Sequence, residues 1–139
     1  MPSLNDYRIF ISHAWRYGQT YDDFIHLLDA APFFHYYNYS APKEKPLFSA
    51  GTPYTSSDIA NKITAKIQPS QITLVLSGMY AAYSDWMRYE IDESLRMGKP
   101  IIGIYPWGQE RAPEYITQNA TRMVRWNTSS VIDAIRSLS

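Results

Sequence analysis

Apolar residues alternate along the chain between short continuous runs and stretches in which they recur every three or four positions. The runs, rich in β-branched and aromatic residues, predict five strands. These strands lie at residues 7–12, 33–39, 72–76, 101–105 and 122–125. The stretches between them predict helices. Three helices are expected to begin at the capping residues Thr20, Ser57 and Ser84, a short one covers 113–119, and the last one buries Val131, Ile132, Ile135 and Leu138.

This alternation predicts one α/β domain over residues 1–139, with a five-stranded parallel sheet of flavodoxin-like order and helices on both faces. Ligands of such sheets bind beyond the carboxyl ends of the strands, where the strand order reverses. In a flavodoxin-like order that point lies between the first and third strands. We therefore expect a site at the segments that follow Ser12 and Ser77.

A long connection separates the second predicted strand from the helix that follows it. Residues 40–56 are polar and contain Pro42, Pro46, Gly51 and Pro53, whereas connections in compact domains usually have about 4 to 6 residues. Loops of this length commonly serve binding or catalysis, so we expect a functional role for this one.

The composition removes several classes of function. The chain has no cysteine, which excludes a disulfide scaffold, an iron–sulfur cluster, a zinc finger and a thiol nucleophile. Thirteen basic residues balance thirteen acidic ones, so neither nucleic acid nor an anionic membrane is an expected partner. The N-terminal residues do not resemble a signal peptide, and no apolar run approaches the roughly 20 residues that span a bilayer. A cytoplasmic location is expected.

Familiar cofactor motifs are missing as well. The turn at 12–18 reads Ser-His-Ala-Trp-Arg-Tyr-Gly and lacks the Gly-x-Gly-x-x-Gly fingerprint, and the chain has no P-loop. His13, His26 and His35 do not have the spacing of a ligand cluster, so neither a metal nor a resident cofactor is expected. Aromatic residues make up 15% of the chain. They suit the walls of a site for a flat-ringed ligand, although some must belong to the core.

One carboxylate lies on the wrong side of its predicted helix. At about 100° per residue, Glu90 falls on the same half of the helix as Trp86, Met87 and Ile91, and it is the only charged residue there. Two interpretations remain open. Glu90 is either an edge residue whose carboxylate reaches solvent or an arginine, or a partly desolvated catalytic carboxylate that lines a pocket.

Two sequence segments resemble the TIR family. Residues 8–14, Arg-Ile-Phe-Ile-Ser-His-Ala, are similar to the first-strand box of TIR domains. Residues 86–90, Trp-Met-Arg-Tyr-Glu, match the Trp-x-x-x-Glu pattern on the helix after their third strand, and Gly-Lys-Pro-Ile-Ile follows at 98–102 as in that family. Residues 34–40 and 124–127 are most similar to bacterial TIR-like proteins of the Thoeris anti-phage type. The chain departs from many family members after the first box, where it has Trp-Arg-Tyr-Gly instead of acidic residues.

The resemblance implies an enzyme that cleaves NAD at the nicotinamide–ribose bond, with NAD as substrate rather than cofactor. The glutamate of the Trp-x-x-x-Glu helix is essential in enzymatic TIR domains, and here that residue is Glu90. The predicted substrate-binding residues are Phe10, Ser12, His13, Ala14, Trp15, Ser84 and Trp86. Ser84 has the alternative role of a helix cap, and Trp86 that of a core residue.

The resemblance also implies a signalling role. Cleavage can yield ADP-ribose, a cyclic ADP-ribose isomer or an exchange product, and the similarity to Thoeris proteins favours a cyclic signal that a separate effector protein reads. Self-association through TIR–TIR contacts, involving the loop at 40–56, is expected to accompany activity. Two alternatives stay open: a noncatalytic TIR-like adaptor that acts through domain–domain assembly, and a flavodoxin-like small-molecule binder that would carry a chromophore or bind a nucleotide without cleaving it.

Overall fold

The computed structural model describes residues 6–12, 19–39 and 56–138, apart from the side chains of residue 6, 56–59 and 79–86. Its single described sheet has five strands, all parallel, in the order β2-β1-β3-β4-β5. The strands are β1 (Asp6–Ser12), β2 (His35–Asn38), β3 (Ile72–Leu76), β4 (Ile101–Ile104) and β5 (Arg122–Val124). This order confirms the predicted five-stranded, flavodoxin-like α/β fold.

Five helices connect the described strands or follow them. They are α1 (Gln19–Asp29), α2 (Ser56–Ile67), α3 (Tyr80–Arg96), α4 (Glu114–Asn119) and α5 (Thr128–Leu138). A 3₁₀ turn at Ser77–Met79 links β3 directly to α3. None of the described helices is both long enough and apolar enough to cross a bilayer.

The predicted helix starts are wrong. Thr20, Ser57 and Ser84 all lie inside their helices rather than at the capping position before the first helical residue. The largest error is in α3, which begins at Tyr80, four residues before Ser84. The reason is that α3 continues from the 3₁₀ turn after β3, so no capping residue separates the turn from the helix.

The second strand is shorter than predicted. Phe33 has a positive φ of 57°, a left-handed conformation that interrupts extended backbone, so β2 begins only at His35. At the start of β2 the ring of Phe34 stacks on those of Tyr7 and Tyr36, with centroids 5.3 and 5.6 Å apart respectively. Part of the aromatic excess therefore serves the core. The loop predicted at 40–56 lies almost wholly outside the described residues.

Alternate residues of the strands bury opposite faces of the sheet. Residues such as Ile9, Ile11 and Leu74 form one core cluster with α1 and α5. On the other face Phe10 packs against α2, and Val75 packs against α3 and α4. Helix α3 contacts β1, β3 and β4, so its inner side covers the centre of the sheet.

Candidate functional site

The topology brings the end of β1 and the middle of α3 together. Ser12 is the last residue of β1 and is paired in register with Val75 of β3. Because α3 follows β3 and lies across both strands, Glu90 reaches Ser12 although the two are 78 residues apart in sequence. The Ser12 hydroxyl donates a hydrogen bond of 2.6 Å to Glu90 Oε1. Both residues are completely inaccessible to solvent, at 0% exposure.

The side of α3 that carries Glu90 is the buried side. Met87, Ile91 and Ser94 lie at helical spacing around Glu90, and all three are fully buried. The interpretation of Glu90 as an edge residue whose carboxylate reaches solvent is therefore wrong, because the helix packs this side against the sheet. The burial agrees with the desolvation that the other interpretation requires, whereas the catalytic role and the pocket stay predictions.

A buried hydroxyl pair fixes α3 against β3 one turn after Glu90. Thr73 Oγ1 lies 2.7 Å from Ser94 Oγ, and the Ser94 hydroxyl donates to the backbone carbonyl of Glu90 at 2.8 Å. Thr73 therefore donates to Ser94, since the Ser94 proton is already used. This chain of hydrogen bonds ties the backbone at Glu90 to the sheet and restricts sliding or rotation of the helix.

The outer side of α3 is held by polar contacts to α2. Thr64 donates a hydrogen bond of 2.9 Å to Glu93, which also pairs with Arg96. The hydrogen bond from Arg96 lowers the pKa of the Glu93 carboxyl, and the Thr64 hydroxyl acts in the same direction. Glu93 is thus an outward carboxylate with its own partners, only three residues from the buried Glu90 on the same helix.

The arrangement suits stabilisation of positive charge by a carboxylate. In a site closed to water, a fixed charge acts on a developing opposite charge far more strongly than it does in water. The Ser12 hydroxyl fixes the orientation of the Glu90 side chain in this closed arrangement. Among the described residues, no three histidine, aspartate or glutamate side chains gather where they could hold a metal.

The other predicted site residues fall in three groups. Phe10 is 1% exposed and packs against Ile63 and Ile67 of α2, so its ring is part of the core in this structure. His13, Ala14 and Trp15 lie outside the described residues. Ser84 and Trp86 belong to α3, and their side chains are outside the description. Contact of any of these six residues, Phe10 included, with substrate stays a prediction.

The structure adds Ser77, which was not among the predicted site residues. It follows β3 directly, is 3% exposed, and its hydroxyl has no hydrogen-bond partner in the part of the chain that the structure describes. Leaving a buried hydroxyl unsatisfied typically costs about 1 to 3 kcal/mol. The sequence signal for it is its position at the carboxyl end of the third strand, beside the end of the first.

Comparison with known proteins identifies the family. No curated protein matches this chain. The family described as Thoeris protein ThsB, TIR-like domain, matches residues 10–111, which contain Ser12, Ser77 and Glu90. The match covers well over half of the 139 residues and agrees with the parallel α/β fold and its strand order. The chain therefore belongs to the ThsB TIR-like family of Thoeris antiviral defence proteins.

Proposed function

We propose that this protein breaks the nicotinamide–ribose bond of NAD and that Glu90 is its catalytic residue. The observation that carries the proposal is the fully buried Glu90 carboxylate, held by the Ser12 hydroxyl at the carboxyl end of β1. It lies beside the point where ligands bind to sheets of this order.

The reaction requires little more than such a carboxylate. Nicotinamide is bound to the ribose as a cationic pyridinium and leaves as a neutral base, taking the electron pair of the broken C–N bond. No general acid has to protonate it. The ribose gains oxocarbenium character, as in glycoside cleavage, and a carboxylate near the ring stabilises that charge. Glu90 also accepts hydrogen bonds from the ribose hydroxyls and so holds the sugar in position.

The acceptor that completes the reaction determines the product. Water gives ADP-ribose, and attack by an adenine nitrogen or a ribose hydroxyl of the same molecule gives a cyclic isomer; a hydroxyl or water acceptor then loses its proton. We propose that the product is an ADP-ribose derivative, with a cyclic isomer favoured, which acts as the signal in Thoeris defence and is read by a separate effector. Self-association through TIR–TIR contacts is proposed to accompany the reaction.

Because Ser12 and Glu90 are closed to solvent, substrate reaches them only after the site opens. An equilibrium that opens and orders the site is the kind of step that assembly can control. We therefore expect nicotinamide release per protein molecule to increase with protein concentration or with a crowding agent.

The test is nicotinamide release from NAD by the purified protein over a range of concentrations. Glu90→Gln keeps the shape of the side chain and removes its charge, so release should fall by about 100-fold or more. The matched control is Glu93→Gln on the same helix, whose carboxylate bonds to Thr64 and Arg96 instead, and which should retain most activity.

Two outcomes would contradict the proposal: undiminished release by Glu90→Gln, or no release by the wild-type protein at any concentration. In the second case the adaptor alternative gains support. If the protein is an adaptor, Glu90→Gln should leave protection against infection intact. If it is an enzyme, the same change should abolish protection.

A further inference from the structure

Two buried serines flank β3, and they differ in the hydrogen bonding of their hydroxyl groups. Ser70 precedes the strand and is 1% exposed, and its hydroxyl donates a hydrogen bond of 2.6 Å to the carbonyl of Ile67. Ser77 follows the strand and is 3% exposed, but its hydroxyl has no partner among the residues that the structure describes. Buried hydroxyl groups are nearly always paired in folded proteins, so Ser77 requires an explanation.

The position of Ser77 associates it with the Ser12–Glu90 pair. Thr73 and Val75 of β3 face α3, since Thr73 contacts Ser94 and Val75 belongs to the cluster around Met87. Ser77 follows Leu76, the last residue of β3, and begins the 3₁₀ turn that leads into α3, so it lies at the same end of the sheet as Ser12.

The strand register limits the distance between Ser12 and Ser77. Ser12 is paired with Val75 of β3, and Ser77 comes two residues after Val75 in the chain. Two residues of chain span at most about 7 Å and neighbouring strands lie about 4.8 Å apart, so the Cα atoms of Ser12 and Ser77 are at most about 12 Å apart. Because Glu90 bonds to Ser12, the Glu90 carboxyl and Ser77 lie at the same end of the sheet, where ligands of such sheets bind.

We propose that Ser77 is a further substrate-positioning residue, whose hydroxyl donates a hydrogen bond to an acceptor oxygen of the ribose 5′-phosphate unit of NAD. This inference rests on the proposed function. Glu90 as a carboxylate can only accept hydrogen bonds, so it is suited to the ribose hydroxyls, whereas phosphate and ether oxygens of the same unit need a donor. Ser77 supplies that donor.

An unpartnered hydroxyl is well suited to this role. A hydroxyl already bonded within the protein has to exchange that bond for one with the ligand and gains little by doing so. Ser77 has no such bond to a described residue, so binding adds a hydrogen bond instead of replacing one. The same feature makes the ligand-free protein less stable than it would be with an apolar residue there, a common cost at functional sites.

The experiment compares Ser77→Ala with Ser70→Ala in the full chain. For each variant we measure the thermal unfolding midpoint without ligand, together with KM and kcat for NAD. Ser77→Ala should leave the midpoint unchanged or raise it, raise KM roughly five- to tenfold, and change kcat by less than about twofold. Ser70→Ala should lower the midpoint by about 3 to 5 °C and leave KM unchanged, because its hydroxyl is bonded to the backbone at the opposite end of β3.

The inference is overturned if KM for NAD is unchanged in Ser77→Ala, or if KM rises together with a fall in the unfolding midpoint, as expected of a structural hydroxyl. Calorimetric titration of NAD into Glu90→Gln, with and without Ser77→Ala, separates this from the proposed function, since it needs no turnover. Weaker NAD binding in the double variant supports the inference even if the wild-type protein releases no nicotinamide. Equal binding contradicts it even if NAD is cleaved.

Discussion

The hydrogen bond between Ser12 and Glu90 leads to a quantitative prediction for Ser12→Ala. The bond is 2.6 Å long, both residues are fully buried, and water cannot replace the lost donor without a change in packing. Hydrogen bonds to charged groups contribute about 1.5 to 3 kcal/mol to stability. In a domain of 139 residues, each kcal/mol shifts the unfolding midpoint by about 3 to 4 °C. Ser12→Ala should therefore lower the midpoint by about 5 to 10 °C.

A double-mutant cycle shows whether this loss comes from the Glu90 carboxylate. In the Glu90→Gln protein the Ser12 hydroxyl bonds to a neutral amide oxygen, so Ser12→Ala should cost only about 0.5 to 1.5 kcal/mol there. The coupling energy between the two positions should be about 1 kcal/mol or more. The assay is urea unfolding of all four proteins at one pH and one salt concentration.

Ser70→Ala provides the control for the cycle. Its hydrogen bond to Ile67 is also buried, but it has no contact with Glu90, so its cost should be the same in both backgrounds. An equal loss of unfolding free energy on Ser12→Ala in the Glu90→Gln protein and in the wild type would refute a contribution of the Glu90 charge. Ser12 would then stabilise the fold without acting on the carboxylate.

Two further predictions concern the packing around the site. Ser94→Ala removes the acceptor of Thr73 and the donor to the Glu90 carbonyl, so it should destabilise by about 1 to 3 kcal/mol, more than Thr73→Val, as measured by urea unfolding; equal effects would contradict the direction assigned to the pair. Burial, and then the hydrogen bond to Asp29, raise the pKa of Tyr36 above the ordinary 10.0, so the neutral phenol is favoured in the folded state. The stability that this neutral phenol contributes is intact below pH 10 and is lost as pH rises further. The free energy of unfolding of Tyr36→Phe should therefore fall less than that of the wild type above pH 10, as measured by urea unfolding at several pH values. Equal falls in the two proteins would exclude this contribution of Tyr36.

Local patterns were sufficient to predict the sheet. The run Ile-Thr-Leu-Val-Leu matches β3 at both ends, because five buried residues bounded by polar and glycine residues leave little choice of where the strand begins and ends. The inward side of α3 was also predictable, since helical spacing groups Glu90 with Met87 and Ile91.

Helix starts and the depth of Glu90 depended on contacts that local patterns do not contain. Thr20 was a good capping residue by type, yet α1 begins at Gln19, whose side chain bonds to Asp23 one turn later. Glu90 left two interpretations open because its burial depends on Ser12, 78 residues away. Ser77 escaped prediction for a similar reason, since only the folded chain shows a buried hydroxyl without a described partner.

NAD metabolism in cells under phage infection tests the central claim most directly. Mass spectrometry would follow NAD, nicotinamide and ADP-ribose derivatives in cells that carry the wild-type protein, Glu90→Gln or Glu93→Gln. We predict that nicotinamide and an ADP-ribose derivative accumulate with the wild type and with Glu93→Gln but remain at background with Glu90→Gln. Accumulation of the same derivative with Glu90→Gln, or protection by the wild type without any such derivative, would contradict the account.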